Sequence, residues 1–361
     1  MAFVVLITVL IIGVYFFMQS AVFGADPTGE RLARIEKSPN YKSGAFQNLS
    51  ETPVQSKDFS AFQTARKFFN PLKTSAPSAT LPSVKTDLKD ITSEQPVLVW
   101  FGHSSYFIKI NGKNILVDPV FSGNAGPVSF LTKNFAGSNT YSANDFPDLD
   151  LVLVTHDHYD HLDYKTILEL KSKTKLFCTS LGVGEHLERW GVAPEKIVEF
   201  DWWESKQIDG MELTAAPARH FSGRGFGRYK SLWSSFVLKT DTYNLYLGGD
   251  SGYDTHFKTI GEKYGPFDLA LLECGQYNEG WPLIHMMPEE TVQASIDLQT
   301  KVLMPVHWSK FQLSLHTWKE PIERVSRAAE EKRVTLTTPM IGQPVTIGKN
   351  YPNEKWWEKL Q

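Results

Sequence analysis

Between about Pro96 and Ile347 the chain repeats one pattern, a short run of apolar residues that breaks off at a polar or glycine-rich turn. Asp150-Leu151-Val152-Leu153-Val154, Met211–Pro217, Asn244–Gly249 and Val302–Val306 are such runs, and each reads as a buried strand. Tyr164–Leu170 reads as a helix, and another opens at Pro288. A length of 361 residues would suggest two domains, but no second linker interrupts the series, so residues 96–361 are expected to form one unit.

The pattern upstream differs. Ala2 to Ala25 contains no charged residue, and as a helix of 24 residues it would reach ~36 Å, enough for a ~30 Å hydrocarbon layer. Residues 1–25 are therefore expected to be a membrane anchor, with a cleaved signal peptide as the alternative. Arg31, Arg34 and Lys37 follow the span and favour a cytoplasmic body under the positive-inside rule. From Asp26 to Gln95 the chain is polar and rich in Ser, Pro and Lys, which predicts a tether or a strap across the body. Only Glu30–Lys37 suits a helix there, and Ser38-Pro39 cuts it short.

Composition changes this picture little. The chain is 42% hydrophobic and 21% charged with a net charge of −3, so no global field would attract nucleic acid. Aromatic residues reach 13%, ten of them Trp, which suits a large core or a lipid-facing surface. Cys178 and Cys274 lie in apolar strand-like runs and are expected to be small buried thiols.

The chemistry concentrates in Thr155-His156-Asp157-His158-Tyr159-Asp160-His161, where a buried strand gives way to a loop. Imidazoles and a carboxylate packed this closely suit zinc or another borderline divalent cation, and sequence does not separate zinc from iron or manganese. His220, Asp250 and His307 each follow a later strand-like run, as a pair of cations held at one sheet edge would require.

The order H-x-H-x-D-H, then His, Asp and His on later strands, resembles the metallo-β-lactamase superfamily. That resemblance implies an α/β fold, an αβ/βα sandwich of two mixed sheets with helices outside. It implies two zinc ions, the first held by His156, His158 and His220, the second by Asp160, His161 and His307, with Asp250 as bridge and catalytic residue. Trp100-Phe101-Gly102-His103-Ser104, Asp118-Pro119-Val120-Phe121-Ser122, Asp201-Trp202-Trp203-Glu204, Gly265–Ala270 and His285-Met286-Met287-Pro288-Glu289-Glu290 resemble one branch. That branch is the N-acylphosphatidylethanolamine-hydrolysing phospholipases D and their bacterial relatives. It implies attack of a metal-bridging hydroxide on a phospholipid, releasing an N-acylethanolamine and a phosphatidic acid. A hydrolase of a small soluble lactone or cyclic phosphodiester is the alternative, and a metal-loaded membrane protein without turnover the second.

Other residues have bland and functional readings. His285 is expected at the site, contacting phosphate or assisting proton transfer, with helix entry as its alternative. His103 is expected to be structural or to support a ligand, and His186, His256 and His316 to be surface or structural. Asp157 is expected to be exposed or locally hydrogen-bonded, and Asp163 to support a ligand or cap the following helix. Trp202-Trp203 reads as core or as an acyl-binding wall. Arg224 and Arg228, in the glycine-rich Phe221–Arg228 loop, and Trp281 are candidates for substrate contact. The expected partners are phospholipid and membrane, with a homodimer left open.

Overall fold

Leu151 and Leu153 face one side of their strand and Val152 and Val154 the other, and both sides are buried in apolar clusters. Burial on two faces explains why this run is apolar at successive positions rather than alternate ones. The structure is a computed structural model and describes residues 1–360.

A seven-stranded sheet passes, edge to edge, through Pro344–Thr346 (β15), Val97–Trp100 (β3), Tyr106–Ile110 (β4), Lys113–Val117 (β5), Leu149–Val154 (β6), Thr174–Ser180 (β7) and Ile197–Phe200 (β8). β5 to β8 pair in parallel and the remaining neighbours antiparallel. A six-stranded sheet passes through Leu303–Val306 (β14), Leu269–Glu273 (β13), Asn244–Leu247 (β12), Ser234–Lys239 (β11), Met211–Pro217 (β10) and Ser205–Ile208 (β9). Here β12, β13 and β14 are parallel and the rest antiparallel.

The two sheets share a core in which Leu98, Ile108 and Leu153 of the first join Leu213, Phe236 and Leu271 of the second. Helices α4 (Tyr164–Leu170) and α5 (Gly184–Arg189) cover the first sheet through Ile167, Leu170 and Leu187. Helices α6 (His256–Tyr264), α7 (Pro288–Asp297) and α8 (Glu320–Lys332) belong to the second side, where Phe257, Val292 and Val325 are buried. This is the expected α/β sandwich of two mixed sheets flanked by helices. Cys178 and Cys274 are free and buried. The C-terminal ends of β6, β10, β12, β13 and β14 supply the residues of the site described below.

The membrane-spanning helix expected over residues 1–25 does not form among the described residues. Helix α1 covers Ala2–Met18, 17 residues, or roughly 26 Å at 1.5 Å per residue. Among the described residues no helix is long and apolar enough to cross a membrane. The helix ends because the chain after it is held elsewhere. Arg189 donates to Gln19 O (2.8 Å), the Trp190 indole N–H to Ala21 O (2.6 Å), and Arg224 to Val22 O (2.9 Å). The uncharged composition of residues 2–25 is legible in the sequence, but these tertiary bonds are not, and they are what breaks the span.

Residues 26–95 run across the body. Helix α2 (Gly29–Ile35) buries Ile35 and places Arg31 between Glu185 (2.6 Å), Glu199 (2.8 Å) and Glu188. A small hairpin, β1 (Tyr41–Lys42) and β2 (Ala45–Phe46), follows, and later helix α3 (Ala61–Phe69), which has no buried residue. The 74–82 segment forms no helix or strand, yet Leu81 is buried and its N–H donates to Ala136 O (2.8 Å). Arg31 is only 12% exposed and its removal leaves three carboxylates facing one another. Arg31→Met is expected to lower the unfolding free energy by about 2 kcal/mol in urea titrations. A change below ~0.5 kcal/mol would show that the network adds nothing to stability.

Candidate metal centre

His156, His158, Asp160 and His161 sit on the loop that leaves β6, where the chain turns away from the sheet edge. Asp118, at the end of β5, holds that loop down. Thr155 donates to it from both its N–H (2.8 Å) and its hydroxyl (2.7 Å), and His161 Nδ1 lies 2.7 Å from its Oδ2. Asp250 follows β12 after two glycines that the packing demands. A Cβ at Gly249 would lie 2.7 Å from Ser234 O and 2.9 Å from the Thr155 Cβ, so the Asp250 backbone can enter only past a residue without a side chain.

The structure brings all seven expected ligand residues together. His156, His158, His220 and Asp250 form one group whose donor atoms lie within 4.8 Å of one another, and Asp160, His161, His307 and His103 form a second. Asp250 stands between them. Its Oδ2 faces His156 (3.8 Å) and His220 (3.7 Å), while its Oδ1 faces His161 (3.2 Å) and His307 (3.1 Å). His156 Nε2, His161 Nε2 and Asp250 Oδ1 are buried without a hydrogen-bond partner. Orphaned buried polar atoms are costly, and cations facing them would satisfy all three, so the donor set fits divalent metal ions.

Supporting bonds orient the candidate ligands. His220 Nδ1 donates to Ile284 O (2.8 Å), Ser104 Oγ lies 2.9 Å from His307 Nδ1, and His103 Nε2 lies 2.9 Å from Asp160 Oδ2. His103, Asp118 and His307 all have left-handed backbones (φ 54°, 41° and 68°), strain that clusters around this centre.

Burial pushes His156, His158, His220 and His307 below the usual histidine range, so they stand as neutral imidazoles with a lone pair to offer. Burial also opposes charge on His161, but Asp250, Asp118 and Asp160 outweigh it and hold this ring well above that range. The three carboxylates thus make this a place where positive charge is stabilised. Burial disfavours the charged form of Asp250 as well, yet the raised His161 and His285 rings hold its carboxyl down at about 2.

His285 is brought to the same site. Its Nδ1 lies 2.7 Å from Glu273 Oε2, and its ring lies beside those of His220 and His307 at 5.0 and 5.3 Å. Glu273 ends β13, is 1% exposed, and accepts from the N–H groups of Ser251 (3.0 Å) and Met286 (3.1 Å). It ties the loop after Asp250 to the loop of His285. Burial raises its carboxyl to about 7, and its proximity in turn outweighs burial at His285 and raises that imidazole to about 9.

Trp281 lines the cleft over the site, a cavity of about 300 Å³ walled also by Val54, Phe59, Phe221, Ile284 and Leu313. Arg224 is not available to a phosphate. It is 4% exposed, and its guanidinium donates to Val22 O, Asp157 O (2.7 Å) and Leu162 O (2.7 Å), so its donors serve as a clamp between loops. Arg228 is exposed, lies over the Phe221 ring at 5.2 Å and does not line the cleft.

Asp157 is buried rather than exposed, and accepts from Gly223 N–H (2.7 Å) and Ser231 Oγ (2.8 Å). Asp163 caps α4, accepting from Lys165 N–H (3.2 Å) and Thr166 Oγ1 (2.6 Å). Trp202 is core and packs on Trp233. His186, His256 and His316 are placed outside the two groups.

Sequence reasoning missed the roles of Asp118 and Glu273, although both carried a usable signal, a carboxylate closing an apolar strand run. The sequence singles out His103 but carries no signal of its bond to Asp160.

A family profile described as "Beta-lactamase superfamily domain" matches residues 113–308. An uncharacterized protein of Mycobacterium tuberculosis is 38% identical over 93% of this chain and 92% of its own length. The N-acyl-phosphatidylethanolamine-hydrolyzing phospholipase D 1 of Caenorhabditis elegans is 30% identical over 73% of this chain and 78% of its own. Among solved structures, Igni18, a metallo hydrolase of the archaeon Ignicoccus hospitalis, is similar with a TM-score of 0.53 and 22% identity, covering 70% of this chain and 97% of that one. With the profile spanning more than half its length and the sandwich carrying buried His/Asp clusters at one sheet edge, the chain belongs to the β-lactamase superfamily as a metal-dependent hydrolase of the metallo-β-lactamase type.

Proposed function

We propose that the protein is a binuclear zinc phosphodiesterase of phospholipase D type, cleaving N-acylphosphatidylethanolamine to an N-acylethanolamine and a phosphatidic acid. The observation that carries this reading is the pairing of two His/carboxylate groups about Asp250, with His285, paired to Glu273, lining the same apolar-walled cleft. Similarity to the nematode enzyme supports the choice of lipid.

His156, His158 and His220 would hold one cation, Asp160, His161 and His307 the other, with Asp250 between them. When bound, such ions activate water for attack on phosphorus and neutralise the phosphate charge. The remaining work falls to the chain. Trp281, Phe59 and Phe221 keep bulk water from the headgroup and steer its apolar part. His285, kept protonated by Glu273, gives its proton to the leaving oxygen as the phosphorus–oxygen bond to the ethanolamine breaks. No serine or cysteine nucleophile is needed.

The modest cleft volume, about 300 Å³, favours a second reading, a hydrolase of a small soluble lactone or cyclic phosphodiester. A lipid meets this limit only if its headgroup enters while its chains stay outside.

Zinc-loaded protein incubated with N-acylphosphatidylethanolamine should release N-acylethanolamine, detected by mass spectrometry. Chelation should abolish release and zinc restore it. Asp250→Asn should lower kcat by roughly a thousandfold or more. Turnover of small soluble esters alone would replace the first reading with the second.

The sign of the pH dependence follows from His285. Glu273 shifts the His285 imidazole upward, so activity should fall once pH rises past the point where that ring loses its proton. In Glu273→Gln the neighbouring carboxylate is gone and only Asp250 and Asp160 are left to oppose burial, so the alkaline limb of kcat should move to lower pH. An unmoved alkaline limb would remove His285 from the role of acid.

A further inference from the structure

The superfamily profile starts at residue 113, yet a side chain far upstream of it grips one of the candidate metal ligands. β10 ends at Pro217, so His220 lies beyond the last strand pairing of that ladder. Asn48, on the segment that crosses the body, takes the place of a neighbouring strand. Its Nδ2 donates to His220 O (2.8 Å), and its Oδ1 accepts from His220 N–H (3.1 Å). The Trp233 indole N–H donates to the same oxygen (3.0 Å) and locks the orientation of the amide.

Neighbouring contacts carry the same segment between two loops of the site. Arg219 donates to Thr52 Oγ1 (2.9 Å) and Glu51 O (2.9 Å), and Ser56 N–H donates to Gly280 O (2.8 Å) beside Trp281. The His220 ring is aimed by Ile284, whereas its backbone is placed by Asn48. Asn48 thus meets both the N–H and the carbonyl of His220, the two backbone groups that set where its ring can point.

We propose that Asn48 is a positioning residue of the metal centre, fixing the His220 backbone so that Nε2 points at the first cation. The proposal rests on the reading of His220 as a ligand. It makes the 48–56 segment part of the catalytic apparatus although it lies outside the superfamily core. The requirement is for a side chain that both donates and accepts across one residue's backbone, and Asn supplies this at the right length.

The test compares full-length apo wild type, Asn48→Ala, Asn48→Asp and Arg31→Met by zinc competition against a chromophoric chelator, with melting temperature and kcat and KM measured alongside. Asn48→Ala should bind one of its two zinc ions, that held by His156, His158 and His220, roughly 10- to 100-fold less tightly, on the scale of lost supporting bonds to a metal ligand, and lose kcat with KM little changed. Asn48→Asp keeps the acceptor but not the donor and should recover part of the affinity. Arg31→Met, which loosens the same segment at its other attachment, should lower the melting temperature and leave zinc affinity as in wild type. Wild-type zinc affinity in Asn48→Ala, or an equal loss in Arg31→Met, would overturn the proposal while leaving His220 as a ligand. Failure of the wild type to bind zinc would sink both.

Discussion

Asp250 is a carboxylate almost without solvent, surrounded by imidazoles on both sides, and the architecture around it answers the need to keep that arrangement in place. Charged and polar atoms this deep are tolerated only when each has a partner. The residues that would share cations with Asp250 come from strand ends in both sheets, so the donor set is assembled only once the sandwich closes. Glycines before Asp250, left-handed backbones at His103, Asp118 and His307, and the carboxylates of Asp118 and Glu273 serve that closure. The core supplies the energy, and the sheet edge spends part of it on strain.

Much of this was readable beforehand because strands and ligands follow one rule. An apolar run ending in His or Asp marks β6, β10, β12 and β14, and the histidine spacing after β6 is too dense for chance. The same rule, extended to any carboxylate, would have reached Asp118 after β5 and Glu273 at the close of β13. Their side chains act on other parts of the chain, holding Thr155, His161 and His285 in place. Which ring a carboxylate will meet depends on sheet order, and sheet order is not local information.

The misreadings share that cause. Arg224 looks like a phosphate contact because its loop is rich in glycine and cationic, but three backbone carbonyls from distant segments consume its donors. The apolar N-terminus looks uninterrupted until Arg189, Trp190 and Arg224 capture the carbonyls of Gln19, Ala21 and Val22. Asn48 sits in a stretch whose composition predicts only a strap, and its pairing with His220 spans 172 positions.

That long reach bears on how the molecule comes together. The segment around Asn48 leaves the ribosome early, whereas the surfaces it grips, at His220 and Gly280, are translated far later and exist only once β10 to β13 have paired. Closing so large a loop is entropically costly and slow until the sheets are in place. The crossing segment therefore docks as a late event, and a chain halted before Gly280 would contain most of the metal-site side chains with no finished wall around them.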